Sequence, residues 1–248
     1  MYLIGDIGNT NIKICLFNSK LMAVKKINFP TSSLNKKYLY NNLKFLKKYK
    51  NKIDTILFSS VVPKLFKLIK KILKKIITIR CLELKNCNLN KFVKIKVNRN
   101  QIGSDRLANA ISAIDNKNNF IVIDFGTATN FDVIIKNQYI GGILAPGVQL
   151  SLNNLVNSAS LIQNTKLKKI KNVIGKNTNT AIRAGFYHGY SGLIDNIIKL
   201  IIKQTNKPFK IILTGGLANL FKNTIKGKIE VKKDLTINGL LKVSKNLK

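Results

Sequence analysis

Alternating apolar and polar positions open the chain. Tyr2 to Ile4 is apolar and runs into Gly5-Asp6-Ile7-Gly8-Asn9-Thr10, after which Ile12, Ile14 and Leu16 alternate with Lys13 and Cys15. Period-two patterning on both sides of a glycine-containing turn predicts strand, tight turn, strand. Phe120 to Ile123 is a second apolar run; it closes on Asp124-Phe125-Gly126-Thr127-Ala128-Thr129 and is followed by the apolar stretch Phe131 to Ile135. Both copies read strand, D-x-G-[NT], strand, with their aspartates 118 residues apart. That separation predicts two domains of similar build, since a solenoid repeat is far shorter.

Between the copies, Thr55 to Val62 reads as a buried strand. Pro63 then opens a helix whose apolar positions Leu65, Leu68, Ile69, Ile72, Leu73 and Ile76 keep helical spacing. Residues 34–49 and 103–115 give two further helical patterns, the second beginning at Ser104 or Asp105. In the second half, Gly141 to Gly147 is dense in turn formers and is expected to be a loop leading into a helix near Gln149 to Asn157. Residues 179–203 predict a long helix in which Gly185, Gly189 and Gly192 mark the close approach of another backbone. A last strand, Lys210 to Leu213, ends in Thr214-Gly215-Gly216. Strands alternating with helices make the chain α/β, with domains expected at 1–115 and 116–248 and no low-complexity linker between them.

Charge changes this picture less than its size suggests. The net charge of +34 comes from 40 Lys and 4 Arg against 10 acidic residues. The lysines are spread along the chain, without the arginine clusters and interleaved aromatics of a nucleic-acid surface, which argues against nucleic acid as a partner. The lysine face of the helix after Pro63 reads as the solvated side of a core helix, and not as a membrane-surface helix. No apolar run approaches the roughly 18 residues of a spanning helix, and residues 1–6 lack a basic stretch followed by an apolar one. Cys15, Cys81 and Cys87 form no C-x-x-C pair and suit a reducing cytoplasm. Against a lysine-rich background, the few aspartates and arginines inside glycine turns stand out: Asp6, Asp105, Arg106 and Asp124.

Those turns suit phosphoryl transfer. Glycine lets backbone N–H groups close on phosphate oxygens. An aspartate beside a phosphate needs a cation between them, and Asn9, Thr10, Thr127 and Thr129 can donate hydrogen bonds. Neither G-x-x-x-x-G-K-[ST] nor a strand-borne G-x-G-x-x-G is present. Gly103-Ser104-Asp105-Arg106 sets a carboxylate and a guanidinium together at a helix start, where the dipole favours the ionised acid. An ionised carboxylate can orient an attacking hydroxyl, and Arg106 can grip a substrate carboxylate. The same four residues equally suit an N-cap aspartate with a surface arginine. His188, the sole histidine, and the cysteines read as packing residues.

Several of these segments, taken in order, resemble type III pantothenate kinases: D-x-G-N-T-N at 6–11, S-S-V-V-P at 59–63, G-x-D-R at 103–106, D-F-G-T-A-T at 124–129, G-G-x-x-A-P-G at 141–147, G-K-N-T at 175–178 and T-G-G-L-A at 214–218. The resemblance runs over nearly the whole chain. It implies two actin-like (ribonuclease H-like) domains around a central cleft, a homodimer, and ATP-dependent phosphorylation of pantothenate to 4'-phosphopantothenate, the first step of coenzyme A biosynthesis. By position, it implies that Asp6, Ile7, Gly8, Asn9, Thr10, Asn11, Ile12 and Lys13 hold ATP phosphates, with Asp6 near magnesium. Thr127, Thr214, Gly215 and Gly216 would also bind ATP. Asp105 would be the base, with Gly103, Ser104, Arg106 and Thr178 binding pantothenate, and Asp124 would hold potassium or ammonium. Two positions depart from the family pattern: Val97 stands where an aromatic residue is common, and Cys15 where a glycine is common. The rival readings are another small-molecule kinase of the superfamily or a Baf-type transcription regulator that catalyses nothing.

Overall fold

The computed structural model describes residues 1–33, 35–159, 162 and 165–247. The chain divides into two compact units, Met1–Ala113 with Asp234–Lys248, and Ile114–Lys233. The expected boundary at 115/116 therefore needs a correction at the far end, because the C-terminal helix belongs with the first unit. The cause is packing. Helix α7 (Leu235–Ser244) lies on helix α3 (Ser104–Ala113), and Gly239 meets Ala108 so closely that a Cβ there would fall 1.9 Å from the Ala108 carbonyl oxygen. Thr236 Oγ1 donates to Asn109 Oδ1 at 2.8 Å, and Lys242 Nζ to the Ile111 carbonyl at 3.0 Å.

The first unit is built on strands β1 (Tyr2–Ile7), β2 (Asn11–Phe17), β3 (Ala23–Pro30), β4 (Thr55–Ser60) and β5 (Cys81–Glu83), in the order β3-β2-β1-β4-β5. The first three form an antiparallel meander; β4 and β5 then add in parallel to β1. Helices α1 (Lys36–Leu43) and α2 (Pro63–Lys74) cover one face, where Leu39, Leu43, Ile69, Ile72 and Leu73 close on Leu3, Ile7, Ile56 and Phe58. Helices α3 and α7 belong to the same unit, and α7 packs on β1 and β4. A two-residue strand β6 (Lys94–Ile95) precedes α3.

The second unit repeats the plan. Strands β7 (Phe120–Phe125), β8 (Ala128–Ile135), β9 (Gln138–Pro146), β10 (Lys210–Gly215) and β11 (Ile229–Val231) run in the order β9-β8-β7-β10-β11. Again three strands are antiparallel, and two more add in parallel to the first. Helix α4 (Val148–Ser158), the 28-residue α5 (Thr178–Thr205) and the single turn α6 (Ala218–Phe221) supply its helices. Tyr187, Ile194, Ile198 and Ile201 of α5 pack with Ile121, Ile123, Ile211 and Leu213 of the sheet.

Two expectations fail locally. The glycine-rich run 141–147 is mostly strand β9: pairing with β8 outweighs turn propensity, and the misfit is absorbed by a bulge at Val133/Ile134 opposite Gly141, whose φ is +135°. The glycines of α5 meet no other element among the described residues, since beyond α5's own nearby backbone nothing there lies within 4 Å of a Cβ built on Gly185, Gly189 or Gly192. No helix among the described residues is long and apolar enough to cross a membrane.

Candidate active site

Side chains along a strand point alternately to its two faces. Asp6 is the fifth residue of β1, between β2 and β4, with Lys13 opposite it on one side and Ser59 on the other. Leu3 and Ile7 point into the α1–α2 core, and Gly5 leaves the room that the Phe58 ring fills. Asp6 therefore faces the other way, side by side with Ser59. The Ser59 hydroxyl donates to its Oδ1 at 2.5 Å. Burial pushes the Asp6 carboxyl up from 3.8 to about 6; Asp105 nearby adds to the rise, while the Ser59 hydrogen bond and the Lys13 charge oppose it.

After Ile7 the chain turns through Gly8, Asn9 and Thr10, whose loop is closed by the Gly8 N–H donating to the Asn11 carbonyl at 3.0 Å. Asn9, Thr10 and Asn11 are exposed there. Thr31 braces the loop from outside, its hydroxyl donating to the Gly8 carbonyl at 2.9 Å and its N–H to the Thr10 carbonyl at 2.8 Å. Lys13 is shared with Asp234, 3.8 Å away, which also binds Lys26 at 3.0 Å.

The N-cap reading of Asp105 in the G-S-D-R run does not hold. Gly103 stands just ahead of α3, its carbonyl accepting from Leu107 N–H. Asp105 is thus a first-turn residue and not the N-cap. Its Oδ1 accepts from the Arg106 N–H at 2.8 Å. Burial raises the Asp105 carboxyl, against the pull of the Arg106 N–H, the Arg106 guanidinium and Lys85. A Cβ on Gly103 would lie 2.4 Å from Asp105 Oδ1, so only glycine leaves the carboxylate where it is. Ser104 is fully buried, and its Oγ has no hydrogen-bond partner among the described residues.

The second unit repeats the placement. Asp124 is the fifth residue of β7, flanked by Asn130 on β8 and Thr214 on β10, as Asp6 is flanked by Lys13 and Ser59. Each unit thus sets a hydroxyl from the parallel neighbour beside its central carboxylate. Gly215, with φ +86°, brings backbone up to this group: a Cβ there would lie 2.6 Å from Asp124 Oδ1 and 2.5 Å from the Phe125 carbonyl oxygen. Gly216 N–H donates to that carbonyl at 3.2 Å, and Thr127 stands exposed on the turn before β8. Gly147 passes so close to Thr127 that a Cβ would fall 2.1 Å from its carbonyl oxygen. Thr178 is exposed at the start of α5, behind an Asn177–Thr180 capping box.

The sequence-expected residues therefore fall in two sets, one per unit: Asp6 to Lys13 with Gly103 to Arg106, and Asp124 and Thr127 with Thr214 to Gly216 and Thr178. Ser59, Thr31 and Asn130 were missed as site residues. Ser59 lies in a motif already noted, and its role depends on strand register, which one sequence does not display. Among the described residues no group of three or more His, Cys, Asp or Glu could hold a metal by itself. A phosphate-borne magnesium asks for only one or two carboxylates, and Asp6 fits that need. Beside Asp124 stand Thr214 and Asn130, whose buried Oδ1 has no hydrogen-bond partner among the described residues; these oxygens fit a hard monovalent cation. His188 packs edge-on against Tyr187, and all three cysteines are free and buried. Burial pushes the Cys15 thiol up to about 11 and that of Cys81 to about 12, away from nucleophilic use.

Known proteins resemble this chain over most of its length. The family model described as type III pantothenate kinase matches residues 2–200. A type III pantothenate kinase of Pelagibacter ubique is 55% identical over the full length of both chains. Among solved structures, a Sinorhizobium meliloti protein assigned as a 2-dehydro-3-deoxygalactonokinase superposes with TM-score 0.63 at 8% identity, covering 100% of this chain and 99% of its own. A Campylobacter jejuni protein assigned to the Baf family of transcriptional activators gives TM-score 0.59 at 21% identity, covering 98% of each chain. These structural likenesses establish the actin-like α/β fold.

The Asp6 shift fixes a stability trend. Unfolded, Asp6 titrates near 3.8; folded and free of ligand, near 6. Between those values the folded state holds a proton that the unfolded state lacks, so this group lowers stability as pH rises through the window. Urea unfolding should show Asp6→Asn gaining on the parent protein between pH 4 and pH 7; an unchanged gap would contradict the buried carboxyl.

Proposed function

The chain belongs to the type III pantothenate kinase family and phosphorylates pantothenate with ATP in coenzyme A biosynthesis, and we propose that Asp105 is the base of that transfer. The observation that supports this most is the placement of its carboxylate in the first turn of α3, held by the Arg106 N–H and electrostatically in touch with Asp6. Asp105 accepts the pantothenate hydroxyl proton as the hydroxyl oxygen bonds to the γ-phosphorus of ATP and the bond to the ADP oxygen breaks. Gly103, Ser104 and Arg106 seat pantothenate, with the guanidinium on its carboxylate. The buried Ser104 Oγ is available for a substrate hydrogen bond.

In the first unit the Gly8–Asn11 turn and Lys13 are assigned to ATP phosphates; in the second unit Thr127 and the Thr214–Gly216 turn are the positions assigned to ATP. The family works on ATP with a divalent metal. Asp6 would hold magnesium, and Asp124 with Thr214 and Asn130 would hold potassium or ammonium. When bound, such cations neutralise phosphate charge beside carboxylates that otherwise repel it. Buried free thiols suit the cytoplasm as the working compartment.

A homodimer is the assembly proposed here, and features of α5 and its unit support it. Gly185, Gly189 and Gly192 leave one side of α5 open among the described residues, and on the same unit Leu144, Val173 and Ile174 are 63%, 70% and 84% exposed. A second copy would cover exposed apolar surface of this kind.

Two experiments test these assignments. Asp105→Asn should cut pantothenate turnover by at least about 100-fold, the scale of general-base loss, while isothermal titration with a nonhydrolysable ATP analogue stays near parent affinity; full turnover would remove Asp105 as base. Gly189→Leu should shift sedimentation from dimer to monomer, and an unaltered dimer would move the interface elsewhere.

A further inference from the structure

Asp105 sits at the end of a segment with little regular structure of its own. Before α3 the chain makes one short turn, in which Asn98 Oδ1 accepts the Asn100 N–H at 3.0 Å and the Gln101 N–H reaches the Asn98 carbonyl at 3.1 Å. Ile102, buried, is then followed directly by Gly103. What fixes this turn is a second one, at residues 83–87, anchored to the sheet through β5. There Glu83 Oε2 accepts the Lys85 N–H at 2.7 Å, the Cys87 N–H reaches the Leu84 carbonyl at 3.1 Å, and Leu84 and Cys87 are buried.

Side chains join the two turns in both directions. Arg99 Nη2 donates to the Lys85 carbonyl at 2.7 Å and to the Cys87 carbonyl at 2.6 Å. In return, Lys85 Nζ donates to the Asn100 carbonyl at 3.0 Å. A guanidinium is planar, always charged and able to serve two carbonyls at once, so this tie does not loosen with pH. The same Lys85 ammonium bears on the Asp105 carboxylate.

We propose that Arg99, with Lys85 as the return tie, is a positioning residue for phosphoryl transfer: it locks the 98–101 turn to the sheet-anchored 83–87 turn and so fixes where the Gly103–Arg106 loop presents Asp105. The proposal rests on the reading of Asp105 as base. Neither Arg99 nor Lys85 touches the reacting atoms. Their part is to stop the loop drifting, and a drift of about 1 Å at a reacting group costs on the order of 100-fold in rate.

The test is steady-state kinetics on the full chain with Arg99→Met, Arg99→Lys, Lys85→Met and Asp105→Asn, each normalised to active sites by nucleotide-binding stoichiometry. Arg99→Met should lower kcat by roughly 10- to 100-fold, keep KM for ATP within about twofold of the parent, and melt within a few degrees of it. Arg99→Lys, able to reach one carbonyl, should recover part of the loss. A kcat within about twofold of parent in Arg99→Met overturns the proposal; so does a loss of kcat with a matching loss of ATP affinity, the mark of general unfolding. Should Arg99→Met fail to fold, Lys85→Met decides: a several-fold fall in kcat at unchanged KM for ATP supports the tie, and parent kcat overturns it. Asp105→Asn separates the two ideas. If it is inactive while Arg99→Met is fully active, only the positioning role falls; if it keeps full activity, the base assignment falls by itself.

Discussion

A carboxylate held out of water in the middle of a sheet is the constraint from which the rest of this structure follows. Each unit puts a carboxylate at the fifth position of its central strand, Asp6 in β1 and Asp124 in β7, with a paired strand on either side, and at Asp6 burial is enough to raise the carboxyl to about 6. An ion so placed is costly unless it is paired or neutralised. Beside Asp6 the chain sets the Ser59 hydroxyl and a lysine shared with Asp234, and in register with Asp124 stand Thr214 and Asn130. A cation carrying phosphate is a ligand whose charge matches a carboxylate so placed.

Glycine and register carry this arrangement. Gly215 and Gly103 each sit where a Cβ would collide with an aspartate carboxylate, so backbone comes close enough to shape the surroundings of both groups. The parallel pairing of β4 on β1 and of β10 on β7 brings a hydroxyl residue alongside each aspartate. Identical strand order in the two units, with the aspartate at the same rung, accounts for the paired D-x-G motifs more fully than either turn alone.

Much of this was legible in the residues themselves. The duplicated strand-turn-strand pattern gave two α/β units, and helical spacing gave α2, α3, α4 and α5 within a few residues of their bounds. What escaped was set by distant contacts. The run 141–147 has the composition of a loop and became β9 because β8 was there to pair with it. The C-terminal helix joined the first unit because Gly239 lets α7 press against Ala108, a fit visible only in three dimensions. The glycines of α5 were expected to meet another backbone, and among the described residues they meet none. Ser59 and Asn130 gained their places from register, and Arg99 from two carbonyls more than ten residues away.

The most direct check is carbon-13 NMR of the aspartate carboxyl carbons, with the Asp6 resonance assigned by its loss in Asp6→Asn. In the free protein its titration midpoint should lie near pH 6, and saturation with magnesium and a nonhydrolysable ATP analogue should drive that midpoint down as the cation favours the ionised form. A midpoint at the ordinary aspartate value of 3.8, or one indifferent to magnesium nucleotide, would contradict the view that this buried carboxylate awaits a phosphate-borne cation.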